Sequence, residues 1–134
     1  MTIENKIITF FENEKDLVAV YLFGSYAAKK AHVGSDIDLA ILFGNQQPEI
    51  INDRLDKFLI GLCRILRKDV HLTAMDFAGE EILKQIFKTG KCILVHDFEK
   101  LSSFKMTAYS KIVNFQYYLR QMQSGLIRKL MEEA

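Results

Sequence analysis

The sequence predicts an α+β domain, in which helices flank a small mixed β-sheet and the chain ends in a long helix. Three observations support this fold class. An unbroken apolar run at 17–23 predicts a strand buried on both faces. A second strand is predicted at 36–43, where polar and apolar residues alternate before the run becomes apolar. From about 99 to 131, apolar residues recur every three or four positions, as in a long amphipathic helix.

The first and second helices follow from the same periodicity. Residues 2 to about 13 carry apolar side chains at helical spacing, and Thr2 can cap that helix. Pro48 suits the first position of a helix that should run to about Lys68. Its predicted buried stripe consists of Ile50, Ile51, Leu55, Phe58, Leu59, Leu62 and Leu66.

The remaining elements alternate between strand and helix. A third strand is predicted at 69–74, and a helix at 77–89. We interpret Asp76 as the cap of that helix and Gly90 as its C-terminal end. A last strand or strand-like segment is predicted at 91–97.

Length and composition limit the kind of protein this can be. The 134 residues suit one domain, and a net charge of +1 gives no general attraction for nucleic acid or for membranes. No leader-like segment starts the sequence, and no apolar run approaches the length of a membrane span. Cys63 and Cys92 are isolated, so we predict buried free thiols. We therefore expect a soluble cytoplasmic protein that does not bind nucleic acid directly.

The end of the first strand has the features of a phosphate site. Gly24 allows a sharp turn, and Ser25 can cap a short helix that 26–29 suggest. A strand that turns through glycine into a helix N-terminus directs free N–H groups and a positive dipole end at one place. These residues therefore predict a cradle for phosphate.

The start of the second strand has the features of a metal site. Because side chains alternate along a strand, Asp36 and Asp38 should lie on the same face. Their Cα atoms would be roughly 6–7 Å apart, so both carboxylates can converge on one or two cations. Oxygen ligands without nearby thiols or paired imidazoles favour magnesium.

A Gly-Ser pair, ten further residues and Asp-x-Asp at the head of a strand resemble the signature of the DNA polymerase β-like nucleotidyltransferases. Among these, the sequence looks most like the minimal nucleotidyltransferase (MNT) antitoxins, which are partners of HEPN-domain toxins. The resemblance covers about 1–98, which would form the catalytic core, while 99–134 would add a helix to the same domain. It implies a two-metal magnesium site, with Asp69 as the third carboxylate beside Asp36 and Asp38.

One departure from the family pattern concerns the residues after Gly-Ser. Members often have an arginine there, whereas this sequence has Lys29 and Lys30, which could take its place in nucleotide binding. Lysine does not reproduce the forked contacts of a guanidinium group. His71, on the predicted face of Asp69, could either line the nucleotide pocket or be a structural histidine.

The resemblance implies transfer of AMP from ATP to a tyrosine of a HEPN ribonuclease toxin, which neutralises the toxin. Two alternatives stay open: a transferase for a small molecule of the aminoglycoside type, and an antitoxin that acts only by steric binding. The long helix should extend past its own core. We expect a partner chain to cover its end, at Tyr117, Tyr118, Met122, Leu126, Leu130 and Met131. The alternative is a bent tail that packs back on the domain.

Overall fold

The computed structural model describes residues 2–24, 26–27 and 36–133. The predicted short helix at 26–29 lies largely outside this part of the chain. The elements in chain order are α1 (Ile3–Phe11), β1 (Ala19–Phe23), β2 (Ile37–Leu42), α2 (Pro48–Leu66), β3 (Val70–Ala74), a 3₁₀ turn (Met75–Phe77), α3 (Glu80–Thr89), β4 (Lys91–Val95) and α4 (Phe98–Glu133). The predicted α+β class with a long final helix is confirmed.

The four strands form one mixed sheet in the order β3-β2-β1-β4. β1 pairs antiparallel with both β2 and β4, while β2 and β3 run parallel. A parallel pair needs a crossover connection, and α2 supplies it. The register places Asp38 opposite His71. Paired residues on neighbouring strands point to the same face, so these two side chains lie on one side of the sheet.

The core lies on both faces of β1 and β2. Val20 and Leu22 of β1 belong to a cluster shared with α1 and α2, whereas Ala19 and Tyr21 belong to a cluster shared with α3 and α4. The alternation explains why the apolar run of β1 is continuous: each face of the strand is covered by helices. The prediction of a strand buried on both faces is confirmed.

The buried face of α2 is narrower than predicted. Ile51, Phe58, Leu62 and Leu66 are buried, as predicted, but Ile50 is 49% exposed and Leu59 36% exposed. The prediction was wrong for Ile50 and Leu59, since both flank the single stripe that faces the sheet. The helix ends when Arg67 adopts a left-handed conformation, with φ 54°, and donates its N–H to the carbonyl of Cys63.

Asp76 does not cap a helix, contrary to the prediction. It lies in the 3₁₀ turn, and α3 begins later, after Gly79. Its carboxylate accepts the backbone N–H groups of Phe43 and Gly44, both at 2.9 Å. Burial raises the pKa of this carboxyl group, while the two backbone donors oppose that shift. Asp76 thus closes the C-terminal end of β2.

An arginine cluster that the sequence analysis did not identify holds the loop after α1 against α2. The Arg54 guanidinium contacts the carboxylates of Asp16 and Glu14, and it lies over the rings of Phe43 and Phe58 at 5.6 and 5.2 Å from their centroids. Hydrogen bonding to Arg54 lowers the pKa of Asp16. The contacts span about forty residues of sequence, so no local pattern indicates them.

Two further predictions concern the cysteines and membranes. Cys63 is half-buried, but Cys92 is exposed, so the prediction of a buried thiol was wrong there. Cys92 lies on the edge strand β4, which no further strand covers in the described part of the sheet. None of the helices in the described residues combines the length and apolarity that crossing a bilayer requires.

The last helix, α4, continues without a break for 36 residues, which corresponds to about 54 Å. Leu101, Ala108 and Ile112 in its first half are buried against the domain. The predicted apolar end is exposed: Tyr117, Tyr118, Met122, Leu126, Leu130 and Met131 range from 56% to 74% exposed. In the described residues α4 does not bend back on the domain.

Candidate active site

The turn after β1 lies directly against the second acid of the Asp-x-Asp pair. Gly24 has φ +72°, a left-handed conformation that other residues rarely adopt. A Cβ atom placed on Gly24 would come within 2.3 Å of Oδ2 of Asp38. The cause is the strand register, in which Phe23 pairs with Asp38. Glycine at this position is therefore required both by the backbone and by the closeness of the carboxylate.

The other predicted nucleotide-binding residues cannot be placed. Ser25, Lys29 and Lys30 all lie outside the described residues, and their roles stay predictions.

The side chains of Asp36, Asp38 and His71 interact electrostatically with one another. Oδ2 of Asp36 and Nε2 of His71 are 3.1 Å apart, a hydrogen-bonding distance. Burial raises the pKa of Asp38, and the negative charge of Asp36 raises it further, against the effect of His71. The predicted placement of both acids on one face agrees with this electrostatic coupling.

Asp69 lies at the same edge of the sheet. Its carbonyl accepts the N–H of Ile37 at 2.9 Å, one position before the first β2–β3 pair. The pKa of His71 is raised, first by its hydrogen bond with Asp36 and then by the charges of Asp36, Asp38 and Asp69. All three acids therefore lie near the same imidazole.

These acids are neighbours, but they do not form an assembled ligand set. Among the described residues, no three His, Cys, Asp or Glu side chains come close enough together to hold a metal ion. The donor chemistry nevertheless fits a hard divalent cation, since the acids offer only carboxylate oxygens. A dication would also relieve the repulsion by which Asp36 raises the pKa of Asp38. The residues therefore fit magnesium, with Asp36 and Asp38 as the best-placed ligands.

The sequence leaves the role of His71 open, and the structure shows its hydrogen-bond partner. The imidazole is exposed, and it bonds to a carboxylate that lies 35 residues earlier in the chain. The alternation along β3 indicated its face, but only the parallel pairing of β2 with β3 brings it to Asp36.

Comparison with known proteins is consistent with this arrangement. Residues 5–99 match the family model described as polymerase beta, nucleotidyltransferase. A relative in Shewanella oneidensis (strain MR-1), the protein adenylyltransferase MntA, is 35% identical over 89 residues. That match covers 66% of this chain and spans 62% of the relative's length.

Solved structures extend the similarity to almost the whole chain. A crystal structure of a toxin–antitoxin with AMP-PNP contains a chain that is 27% identical, with a TM-score of 0.67. The match covers 96% of this chain and 98% of that one. A crystal structure of the toxin–antitoxin MntA–HepT gives 25% identity and a TM-score of 0.61, with 96% and 97% covered.

Proposed function

Because the chain belongs to the polymerase β nucleotidyltransferase family, we propose that it is a protein adenylyltransferase and the antitoxin of a HEPN-type toxin. It transfers AMP from ATP to a tyrosine hydroxyl of that toxin in the cytoplasm, and so neutralises it. The observation that carries the proposal is the Gly24 turn, seated against Asp38 beside Asp36. The similarity to protein adenylyltransferase MntA, and to a toxin–antitoxin chain crystallised with AMP-PNP, supports it.

The residues of this edge have complementary roles in the proposed reaction. The turn at Gly24 and Ser25 binds the terminal phosphates of ATP through backbone N–H groups. Asp36, Asp38 and Asp69 would hold magnesium. The bound ions would neutralise the triphosphate and the leaving pyrophosphate. Lys29 and Lys30 add positive charge near the phosphates.

The chemical step is an exchange of bonds at the α-phosphorus. The tyrosine oxygen forms a bond to that phosphorus, and the bond to the β-phosphate oxygen breaks, which releases pyrophosphate. Asp69 accepts the hydroxyl proton as the tyrosine attacks. Positioning and charge neutralisation supply most of the catalysis, because no covalent enzyme intermediate is needed.

The exposed apolar end of α4 supports a protein partner. Met122, Leu126 and Leu130 continue the stripe that Leu101 and Ile112 bury against the domain. A large exposed apolar surface in a folded chain is typical of a protein interface. We propose that the toxin covers this end of α4.

The interface is tested by charge substitution on one turn of the helix. Met122→Asp combined with Leu126→Asp should weaken the complex at least about tenfold, because buried apolar anchors dominate such interfaces. Gln121→Asp combined with Gln123→Asp introduces the same two charges at exposed polar positions of that turn and should have little effect. Equal affinities for both variants, measured by titration calorimetry, would place the interface elsewhere.

The transfer itself is tested with the purified product of the neighbouring gene as the proposed toxin. The wild-type protein should label the toxin when it is incubated with magnesium and with ATP labelled in the α-phosphate. Mass spectrometry should then map AMP to a tyrosine. Asp38→Asn should bind the toxin but label it about 10²–10³-fold more slowly. Tight binding with no label from the wild type would support a purely steric antitoxin. Label on an added aminoglycoside, and none on the toxin, would support the small-molecule transferase.

A further inference from the structure

His71 has no part in the proposed bond exchange, yet it contacts one of the proposed metal ligands. We infer that His71 is a positioning residue, whose Nε2–H holds the Asp36 carboxylate in the orientation that binds magnesium. This inference rests on the proposed function, and it assigns a role to a residue of β3, the strand that pairs with β2 beside Asp36 and Asp38.

The geometry supports this role. β2 and β3 run parallel, and their register brings His71 opposite Asp38. Nε2 of His71 then reaches Oδ2 of Asp36 at 3.1 Å, two residues before Asp38 in the chain. The bond engages one oxygen of the carboxylate and leaves the other for a further ligand.

Asp36 needs such a partner because little else restrains it. It precedes the first residue of β2, and its side chain is 49% exposed. An exposed aspartate at a strand end has several accessible rotamers, and binding a metal ion would require that freedom to be lost. Among the described residues, His71 is the side chain that forms a hydrogen bond to it. The bond therefore reduces the ordering that metal binding requires.

The same contact contributes little to the fold. The His71 side chain is 63% exposed, and exposed pairs of this kind contribute little to stability. Hydrogen bonds to metal-ligating carboxylates, in contrast, affect metal affinity strongly. The two readouts should therefore separate: loss of the imidazole should change metal affinity and leave the melting temperature nearly unchanged.

The experiment measures Mn²⁺ binding by the electron paramagnetic resonance signal of free Mn²⁺, with no toxin or nucleotide present. His71→Ala should weaken Mn²⁺ binding about 10- to 100-fold. His71→Gln should retain near wild-type affinity, because its amide N–H donates from a similar reach without an imidazole. Thr73→Ala, two residues further along the same face of β3, is the matched control and should bind as the wild type does.

The outcomes separate this inference from the proposed function. If the wild type binds Mn²⁺ and Asp38→Asn does not, the metal site stands; unchanged affinity in His71→Ala would then overturn the positioning role alone. Tighter binding in His71→Ala would also overturn it, since the imidazole would then be a competitor for Asp36. So would a His71→Gln variant as weak as His71→Ala. A wild type that binds no Mn²⁺ would overturn both.

Discussion

A partly buried aspartate lies at each end of strand β2, Asp38 within its start and Asp76 from the 3₁₀ turn against its end, and the two have different surroundings. Burial raises the pKa of Asp38 at the start and of Asp76 beyond the end. Two backbone N–H groups stabilise the Asp76 carboxylate, from Phe43 and Gly44. Asp38 instead faces the like charge of Asp36, which raises its pKa further.

The difference supports the proposal that Asp38, and not Asp76, belongs to the active site. A partly buried carboxylate with backbone donors has a structural role, since those donors offset part of the cost of burying its charge. A buried carboxylate beside another carboxylate is costly unless something positive binds there. Burial raises the pKa of both aspartates, so burial alone does not distinguish them. The charged and hydrogen-bonding groups around each one do.

The largest expected effect comes from removing the charge of Asp38. Asp38→Asn should lower AMP transfer by about 10²–10³-fold, because a preorganised charge in the site is lost. The free energy of unfolding should not fall, because the ionised carboxylate is penalised by burial and by Asp36. Initial rates of toxin labelling and a urea titration measure the two quantities. Wild-type rates in this variant would rule out a catalytic role for Asp38.

A substitution at the turn should affect both quantities. Gly24→Ala places a Cβ 2.3 Å from Oδ2 of Asp38 and retains a left-handed backbone that costs about 1–2 kcal/mol for alanine. Stability should fall by at least that amount, and transfer should fall as Asp38 is displaced. Gly125→Ala, in the middle of α4 with no atom within 4 Å of its added Cβ, is the control. It should stabilise the chain slightly, since alanine favours helix. Equal stability for both variants would contradict the close approach.

At the other end of β2, the expected effect is on stability alone. Asp76→Ala leaves two backbone N–H groups without their acceptor and should lower the free energy of unfolding by about 1–3 kcal/mol. Transfer per folded molecule should be unchanged at temperatures well below the melting transition. A loss of transfer without a loss of stability would mean that Asp76, like Asp38, takes part in the reaction.

The smallest expected effect is a pH dependence at Asp76. Its folded pKa is raised above the usual aspartate value, so the folded state holds this proton more tightly than the unfolded state does. Its contribution to stability therefore falls as pH rises from the unfolded pKa through the folded pKa, and is constant above both. The free energies of unfolding of wild type and Asp76→Ala, compared across this acid range, should differ less as pH rises, and the wild type should remain the more stable at neutral pH. A wild-type contribution that grows with pH across that window would contradict the raised pKa.

Hydrophobic patterns in the sequence predicted the helices and strands whose burial depends on their own residues alone. The apolar run of β1 and the spacing in α4 identify their elements because each is amphipathic or buried along its own length. The acid pair and the glycine turn were predicted from strand alternation and backbone conformation. Asp76 was misinterpreted because its partners lie 32 and 33 residues away. The partner of His71 could not be predicted for the same reason, since it depends on how β2 and β3 pair.

The outer turns of α4 are exposed, so their stability should depend on the concentration of any chain that binds them. Most of the stability of a helix in a protein comes from packing, so the outer turns persist mainly as an extension of the turns that Leu101, Ala108 and Ile112 anchor. A chain that binds this segment in helical form stabilises it by mass action. Amide hydrogen exchange in the last turns should therefore slow in proportion to the amount of bound partner, while exchange near Leu101 should hardly change. Amide exchange in the outer half of α4 would then report how much of the chain is in the complex.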